Sequence, residues 1–193
     1  MRRFWKSAEV VEAGEEFGIT LDGRAVKSPA RADLRVPTGA LAAAIAAEWN
    51  ECGETVDPRT MPLTGLANAA IDRVAPDKDG FAGGIARYGE SDLTCYRAEG
   101  PDALVERQAE SWDALLGWAR RRYDVDFACV SGVMHVPQPD ETVRKLGHAV
   151  ATLDAFRLAG LAPLVTIGGS LVAGLAVLEE MMPAEDAWEA VSL

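Results

Sequence analysis

The sequence predicts an α+β fold, with a small N-terminal antiparallel β domain followed by a mostly α-helical domain. Short runs rich in β-branched and aromatic residues occupy residues 1–37, whereas alanine-rich and amphipathic segments occupy nearly everything after residue 38. The 193 residues are 49% hydrophobic and 25% charged, which is enough apolar material for a sizeable core. We therefore expect domains at 1–37 and 38–193, with a further β-like run at 91–97 near the first domain.

The β domain is predicted from two strands and a turn. "AEVVEA" (8–13) and "FGITL" (17–21) have the composition of strands. "LDGR" (21–24) follows, and Asp-Gly between apolar runs favours a hairpin because a type I′ turn requires positive φ at both central residues. "AVKSP" and "ADLRVP" continue the meander up to residue 37.

The sequence pattern changes to a helical period at Thr38. "PTGALAAAIAAEWNECG" has Thr38 as a predicted N-cap, one apolar face that includes Ile45 and Trp49, and Gly53 at its end. A second helix is predicted from about residue 63 to 74. A weaker third one is predicted around 80–88, because Gly83 and Gly84 lower its helical propensity.

The middle of the chain predicts strands on either side of a long helix. "SDLTCYR" (91–97) and "VDFACVSG" (125–132) resemble short strands. Between them, Pro101 or Asp102 opens an amphipathic helix that ends near residue 123. The arginines 120–122 fall in its last turn, where positive charge complements the helix dipole.

The last third is predicted to be helical and buried. Residues 139–160 form one predicted helix that stops at Gly160, a buried helix runs from Pro163 to Met181, and a short amphipathic helix has Pro183 at its first position. Residues 158–178 carry no charge and are long enough to cross a bilayer. Pro163 and the pair 168–169 interrupt this stretch and no basic flank anchors it, so we expect core helices and no membrane insertion.

Charge and cysteine usage exclude several classes of function. A net charge of −11 argues against nucleic acid and against anionic membrane surfaces. The widely spaced Cys52, Cys95 and Cys129 form neither a zinc motif nor a disulfide scaffold, which favours a reducing compartment. Since the first residues lack the features of a secretory signal or a presequence, we expect a cytoplasmic or mature protein.

A search for catalytic chemistry leaves one candidate, Cys95. A cysteine-dependent enzyme would need a base close to this thiol, and His135 and His148 are the available histidines. On a strand, Cys95 would share a face with Leu93 and Arg97, so a buried small hydrophobe is the favoured interpretation. The glycine-rich "GFAGG" and "TIGGSL" lack the spacing of phosphate loops, and the sequence predicts neither a cofactor nor a metal.

An acidic cluster with one tryptophan lies near the C-terminus. Trp188 is surrounded by Glu179, Glu180, Glu185, Asp186 and Glu189. A solvated helix face is the favoured interpretation. The alternative is a docking patch, because exposed tryptophan often marks a binding surface.

Several blocks together resemble one known family. They are "RRFWKSAEV" with "FGITLDGRAVKSPA", the block "LAAAIAAEWNECGETVDPRTMPLTGLANAAID", the block "YGESDLTCYRAEGPDALVERQAESWDALLGW", and the closing "GSLVAGLAVL" and "AEDAWEAVSL". This combination is similar to the assembly chaperones for the alpha subunit of the ATP synthase catalytic (F-one) sector. The family pattern usually continues beyond the last of these helices, whereas this sequence stops at Leu193.

The resemblance implies a molecular chaperone and not an enzyme. Such a protein would bind the unassembled alpha subunit as a monomer, without cofactor or metal, and shield its interface until the beta subunit replaces it. It would act in a bacterial cytoplasm, or in the mitochondrial matrix for eukaryotic relatives. The expected partner-binding residues are Glu48, Trp49, Glu179, Glu180, Asp186 and Trp188.

Three alternatives stay open at this point. Trp49 could be a core anchor that joins the β and helical parts, instead of a contact for a partner. The chain could be a cysteine-dependent enzyme centred on Cys95. It could also be a small-molecule binding protein with a pocket between its two domains.

Overall fold

An antiparallel sheet forms the N-terminal part of the computed structural model, which describes residues 2–193. Its strands are β1 (Ala8–Ala13), β2 (Glu16–Leu21), β3 (Arg24–Ala25) and β4 (Arg35–Val36), and β2 pairs with each of the others. The β1–β2 register runs from Ala8 opposite Leu21 to Ala13 opposite Glu16. The α+β prediction is confirmed, because helices account for most of the chain that follows.

Tight turns set the register of this sheet. Asp22 and Gly23 both have positive φ, 48° and 79°, and join Leu21 to its partner Arg24. The hairpin predicted at Asp-Gly is therefore confirmed. The β1–β2 turn uses Gly14 with φ of 76° as the first of its two loop residues, which is the position that a type II′ turn reserves for glycine.

The first helix packs on the sheet. Helix α1 (Gly39–Glu51) starts at Thr38, whose hydroxyl accepts a hydrogen bond from Leu41 N at 3.2 Å, as predicted. The buried Ile45 faces the sheet side that includes Ile19 and Val36. Helix α2 (Pro62–Ala69) follows and continues into a π-helical turn at Ala70–Val74 and a 3₁₀ turn at Ala75–Asp77.

The chain divides into two compact units, Met1–Asp77 and Lys78–Leu193, hereafter unit 1 and unit 2. The sequence-based boundary at residue 37 marks the change from strands to helices. The contacts instead keep residues 38–77 with the sheet, because α1 packs against β1 and β2 and also against α2.

Unit 2 is mostly helical. Its helices are α3 (Lys78–Ala86), α4 (Asp102–Tyr123), α5 (Asp140–Ala151), α6 (Ala155–Gly168), α7 (Leu171–Leu178) and α8 (Ala184–Val191). Two short strands, β5 (Tyr96–Arg97) and β6 (Val130–Ser131), pair in parallel. Within residues 2–193, no helix has both the length and the apolar character that crossing a bilayer requires.

Helix boundaries in the last third differ from the prediction. The expected single helix 139–160 breaks before Asp154, whose carboxylate accepts hydrogen bonds from Phe156 N and Arg157 N and begins a new helix. Gly160 and Pro163 then lie inside α6, so the predicted stop at Gly160 is wrong. Buried side chains on both sides of Pro163 compensate for its missing backbone donor; they include Leu158, Leu161 and Val165.

The segment 91–97 is a strand only at Tyr96–Arg97. Residues Leu93–Cys95 form a 3₁₀ turn, so the predicted alternation of faces is wrong for Asp92, Thr94 and Cys95, and all three are fully buried. The reason is a side-chain bond: Asp92 caps the turn by accepting a hydrogen bond from Thr94 N at 3.1 Å.

Asp92 also connects this turn to α7. Its Oδ1 accepts hydrogen bonds from Thr94 Oγ1 at 2.7 Å and Ser170 Oγ at 2.8 Å, and its Oδ2 accepts one from Val172 N at 2.9 Å. Burial raises the pKa of Asp92, while these hydrogen bonds oppose the rise. The arrangement fixes the N-terminus of α7, because Ser170 Oγ in turn accepts from Ala173 N. We call Asp92, Thr94 and Ser170 the Asp92 cluster.

Candidate functional site

An apolar groove lies between the last three helices of unit 2. It has a volume of about 220 Å³, and none of the described residues that line it carries a charge. Ile167 and Trp188 border it and are 70% and 57% exposed. The floor includes the small residues Ala173 and Gly174. We call this feature the α6–α8 groove.

Local sequence explains why the groove is open. Helix α6 ends at Gly169, which has a φ of 67°, and Ser170 caps α7 by accepting from Ala173 N at 3.0 Å. Helix α8 is held by its other side, where Trp112 donates from Nε1 to Ala190 O at 2.6 Å. Trp188 therefore stays on the face of α8 that borders the groove.

Acidic side chains are exposed on α8, which forms one side of the groove, and in the segment before it. Glu185, Asp186 and Glu189 are exposed on α8, and Glu180 is exposed just beyond α7. Glu179 is engaged with α4, since it accepts hydrogen bonds from Arg122 Nε at 2.5 Å and from Tyr123 Oη at 2.6 Å. Burial and the Glu179 carboxylate together raise the pKa of Tyr123.

Glu48 and Trp49, the two predicted site residues in unit 1, have structural contacts there. The Glu48 carboxylate accepts hydrogen bonds from Leu63 N and Thr64 N at 2.7 and 2.8 Å, so it stabilises the start of α2. Trp49 is buried against Trp5, with ring centroids 5.1 Å apart, and its carbonyl accepts from Trp5 Nε1. These contacts favour the core-anchor alternative for Trp49, within unit 1.

Sequence reasoning missed three exposed apolar side chains. Ile167 was hidden in a stretch interpreted as buried. Val133 and Met134, 92% and 79% exposed, lie in the loop after β6, which Gly132 starts by donating a hydrogen bond from its backbone N–H to Arg97 O. The sequence signal for this exposed loop was the position of Val133 and Met134 between Gly132 and a proline-rich segment.

Cys95 lies in an environment that disfavours a thiolate. The residue is fully buried, and burial raises the pKa of its thiol, with the Asp92 carboxylate as a further cause. His135 instead lies beside Tyr96, with its Nδ1 3.1 Å from the phenol oxygen. The interpretation of Cys95 as a small buried hydrophobe is confirmed.

Other features of unit 2 offer less to a specific ligand. A polar cavity of about 760 Å³ is lined by Arg122, Arg144, Lys145, His148 and Arg157, but several of these cations pair with nearby carboxylates. Within residues 2–193, no group of three or more His, Cys, Asp or Glu side chains could hold a metal ion. The α6–α8 groove is therefore the candidate site.

Comparison with known proteins gives a consistent result. The sequence model of the ATP12 chaperone protein family matches residues 2–120. A mitochondrial protein named atp12 from Schizosaccharomyces pombe is 27% identical over an alignment of 198 positions, which covers 96% of this chain and 68% of that protein.

Solved structures extend the similarity to the groove helices. Atp12 from Paracoccus denitrificans is 43% identical, with a TM-score of 0.94 over 98% of this chain and 82% of that one. A putative chaperone from Agrobacterium tumefaciens is 36% identical, with a TM-score of 0.93 over 99% of this chain and 72% of that one. Since the family model ends at residue 120, these structures are what relate the groove region to known proteins.

Proposed function

The chain belongs to the ATP12 chaperone protein family, and from this premise we propose that it assists assembly of the ATP synthase catalytic sector. It binds the unassembled alpha subunit and shields the interface of that subunit until the beta subunit replaces it. The similar structures from two bacteria support action in the cytoplasm of a bacterium.

The observation that carries the proposal is the α6–α8 groove. An unassembled subunit exposes apolar surface that would otherwise aggregate, and a chaperone must cover it with apolar surface of its own. Ile167 and Trp188 supply such surface at the border of a groove without charged lining. Burying one large side chain of this kind contributes about 1.5–3 kcal/mol. Because association costs about 4–15 kcal/mol, contacts at this site favour a complex that the beta subunit can displace.

Exposure and contacts support the roles that we propose for the predicted partner-binding residues. We propose Trp188 as the apolar contact and the exposed Asp186 and Glu180 as acidic contacts. Glu179 is bonded to α4 and acts in this proposal by holding the chain after α7 in place. Glu48 and Trp49 act indirectly, because their contacts maintain unit 1.

A capture experiment tests this function. The tagged protein is mixed with purified free alpha subunit, or with the assembled alpha–beta sector of the same ATP synthase. We expect capture of the free subunit, little capture of the assembled sector, and release of the free subunit when beta subunit is added. Equal capture of both forms, or of neither, would contradict the proposal.

A matched pair of variants tests whether the groove is responsible. Trp188→Ala removes the exposed ring at the groove and should weaken capture of the free subunit by about ten-fold. Phe4→Ala removes an exposed aromatic ring from unit 1, outside the groove, and should leave capture unchanged.

A further inference from the structure

The lining of the α6–α8 groove is apolar, whereas the exposed side chains along its α8 edge are acidic. Its lining consists of apolar side chains and glycine. Helix α8, which forms one side of the groove, carries three exposed carboxylates and no Lys, Arg or His. These residues are Glu185, Asp186 and Glu189.

The apolar lining favours a helical occupant. An extended segment would bring unpaired backbone N–H and C=O groups against a surface that cannot bond them, which is unfavourable in a dehydrated site. A helix satisfies its backbone bonds internally and can lay one apolar face into the groove. The small residues Ala173, Gly174 and Ala187 leave room for side chains that project from such a helix.

The charge at the rim determines which helix fits. On α8, Glu185 lies three residues before Trp188 and four residues before Glu189. Both carboxylates therefore lie on the solvent side of the Trp188 ring. Cationic side chains that flank the apolar face of an occupant would meet these carboxylates, and one could stack on the exposed Trp188 ring.

The same charge disfavours two other occupants. A second copy of this chain would bring an identical acidic rim against the first, and like charges at a desolvating interface are unfavourable. A bilayer surface with anionic lipids would be repelled as well.

We propose that the α6–α8 groove binds an amphipathic α-helix whose apolar face is flanked by Lys or Arg side chains. This inference rests on the proposed function, because the helix would be the segment of the partner that the chaperone shields. It adds the chemistry of the segment that is recognised: apolar anchors for the lining and positive charge for the Glu185–Glu189 edge.

Binding of two synthetic peptides to the full chain tests the inference. One peptide is an 18-residue amphipathic helix of Leu and Lys, and the other has Glu in place of every Lys; this is about five turns of helix. We expect saturable binding of the Leu–Lys peptide, weakened by added salt because the rim is exposed, and no detectable binding of the Leu–Glu peptide. Equal affinity for both peptides would overturn the inference.

Charge-reversal variants test whether the binding occurs at the groove. Glu185→Lys with Glu189→Lys should weaken Leu–Lys peptide binding by about ten-fold or more, and Trp188→Ala should weaken it to a similar extent. Glu106→Lys with Glu110→Lys is the control, since it makes the same charge change with the same spacing on the exposed side of α4. Equal losses in the rim and control variants would mean general attraction to an acidic protein and would overturn the inference.

The alpha-subunit capture experiment separates this inference from the proposed function. If the rim variant captures the alpha subunit as well as the unmodified chain does, the inference is wrong and the proposed function stands. If the unmodified chain fails to capture the alpha subunit but binds the Leu–Lys peptide at the groove, the inference stands and the choice of partner is wrong. A dimer in solution that Trp188→Ala dissociates would overturn the inference, because the groove would then be occupied by a second copy.

Discussion

Helix α7 borders two regions of unit 2 that place polar and apolar groups in opposite ways. At its N-terminus the Asp92 cluster is polar and fully buried. Along its side, the α6–α8 groove is apolar and open, with Ile167 and Trp188 exposed. Both placements are the reverse of the common one, in which polar groups face water and large apolar groups are buried.

The two regions differ in whether their unusual groups have partners within the described residues. Both oxygens of the Asp92 side chain have hydrogen-bond partners, so this buried polar group is satisfied and the cluster holds α7 in place. Ile167 is 70% exposed within the described residues, so its side chain adds little to their folding and belongs to the kind of surface that binding sites use. Substitutions in the cluster should therefore change stability, and substitutions at the groove should change binding.

Within the Asp92 cluster, the largest effect on stability is expected from Asp92→Ala. Removing the carboxylate leaves buried donors of Thr94, Ser170 and Val172 without an acceptor, which should lower the free energy of unfolding by about 3 kcal/mol or more. Urea unfolding followed by circular dichroism measures it. Asp92→Asn keeps one acceptor oxygen and should lose less. A loss below about 1 kcal/mol for the alanine variant would mean that the cluster does not hold α7.

A smaller loss is expected from Gly174→Ala, at the point where the two regions meet. A Cβ at this position would lie 2.6 Å from Val165 Cγ2 and 3.1 Å from Leu161 Cδ1. The Val165 side chain is branched at Cβ and cannot rotate away freely, so α6 and α7 must separate. We expect a loss of about 1–3 kcal/mol in urea unfolding from overpacking, partly offset by the better helical propensity of alanine. An increase in stability would show that the helix contact is loose.

Local signals in the sequence were sufficient for much of the fold. The Asp-Gly hairpin, the Thr38 cap and the long helix α4 each depend on residues close together in the chain. The structure of residues 91–95 does not, because Asp92 bonds to Ser170 and Val172, which lie 78 and 80 residues further along. No short-range pattern contains that contact.

The candidate site was predictable only in part. The acidic cluster around Trp188 could be interpreted as a docking patch because charge and tryptophan are visible in the sequence. Ile167 could not be identified, since its exposure depends on the end of α6 at Gly169 and on the place where α8 packs. Glu48 was predicted as a partner contact, and charged residues usually lie at the surface. In the structure its carboxylate instead caps the start of α2.

A pair of alanine substitutions in α6 should separate stability from binding most clearly. Leu161→Ala removes a fully buried side chain and should cost about 2–5 kcal/mol. Ile167→Ala removes an exposed one from the same helix and should change the free energy of unfolding by no more than about 0.5 kcal/mol, while it weakens capture of the alpha subunit. Urea unfolding and the capture experiment give the two readouts. A loss of stability at Ile167 as large as that at Leu161 would show that the groove is part of the core.

A small loss in the free energy of unfolding at neutral pH is expected from Asp22→Asn. Comparison of this variant with Asp92→Asn contrasts an exposed carboxylate with a buried one. Asp22 is exposed, and hydrogen bonds from Ser7 N and Lys6 N lower its pKa, whereas burial raises the pKa of Asp92. An asparagine at position 22 tolerates the positive φ of 48° and keeps one acceptor oxygen for Ser7 N and Lys6 N, while the charge and the second acceptor oxygen are lost.

The two carboxylates should therefore contribute to stability with opposite pH dependence. A lowered folded pKa means that the contribution of Asp22 is present above its ordinary pKa of about 3.9 and is lost as the pH falls through the folded value. A raised folded pKa means that the contribution of Asp92 is largest at low pH and declines as the pH rises through the folded value. Urea midpoints at about pH 7 and about pH 3 should show the stability deficit of Asp22→Asn shrinking on acidification and that of Asp92→Asn growing. If both deficits moved in the same direction, the hydrogen bonds of Asp92 would outweigh the effect of its burial on the pKa, and the ionised carboxylate would itself stabilise α7.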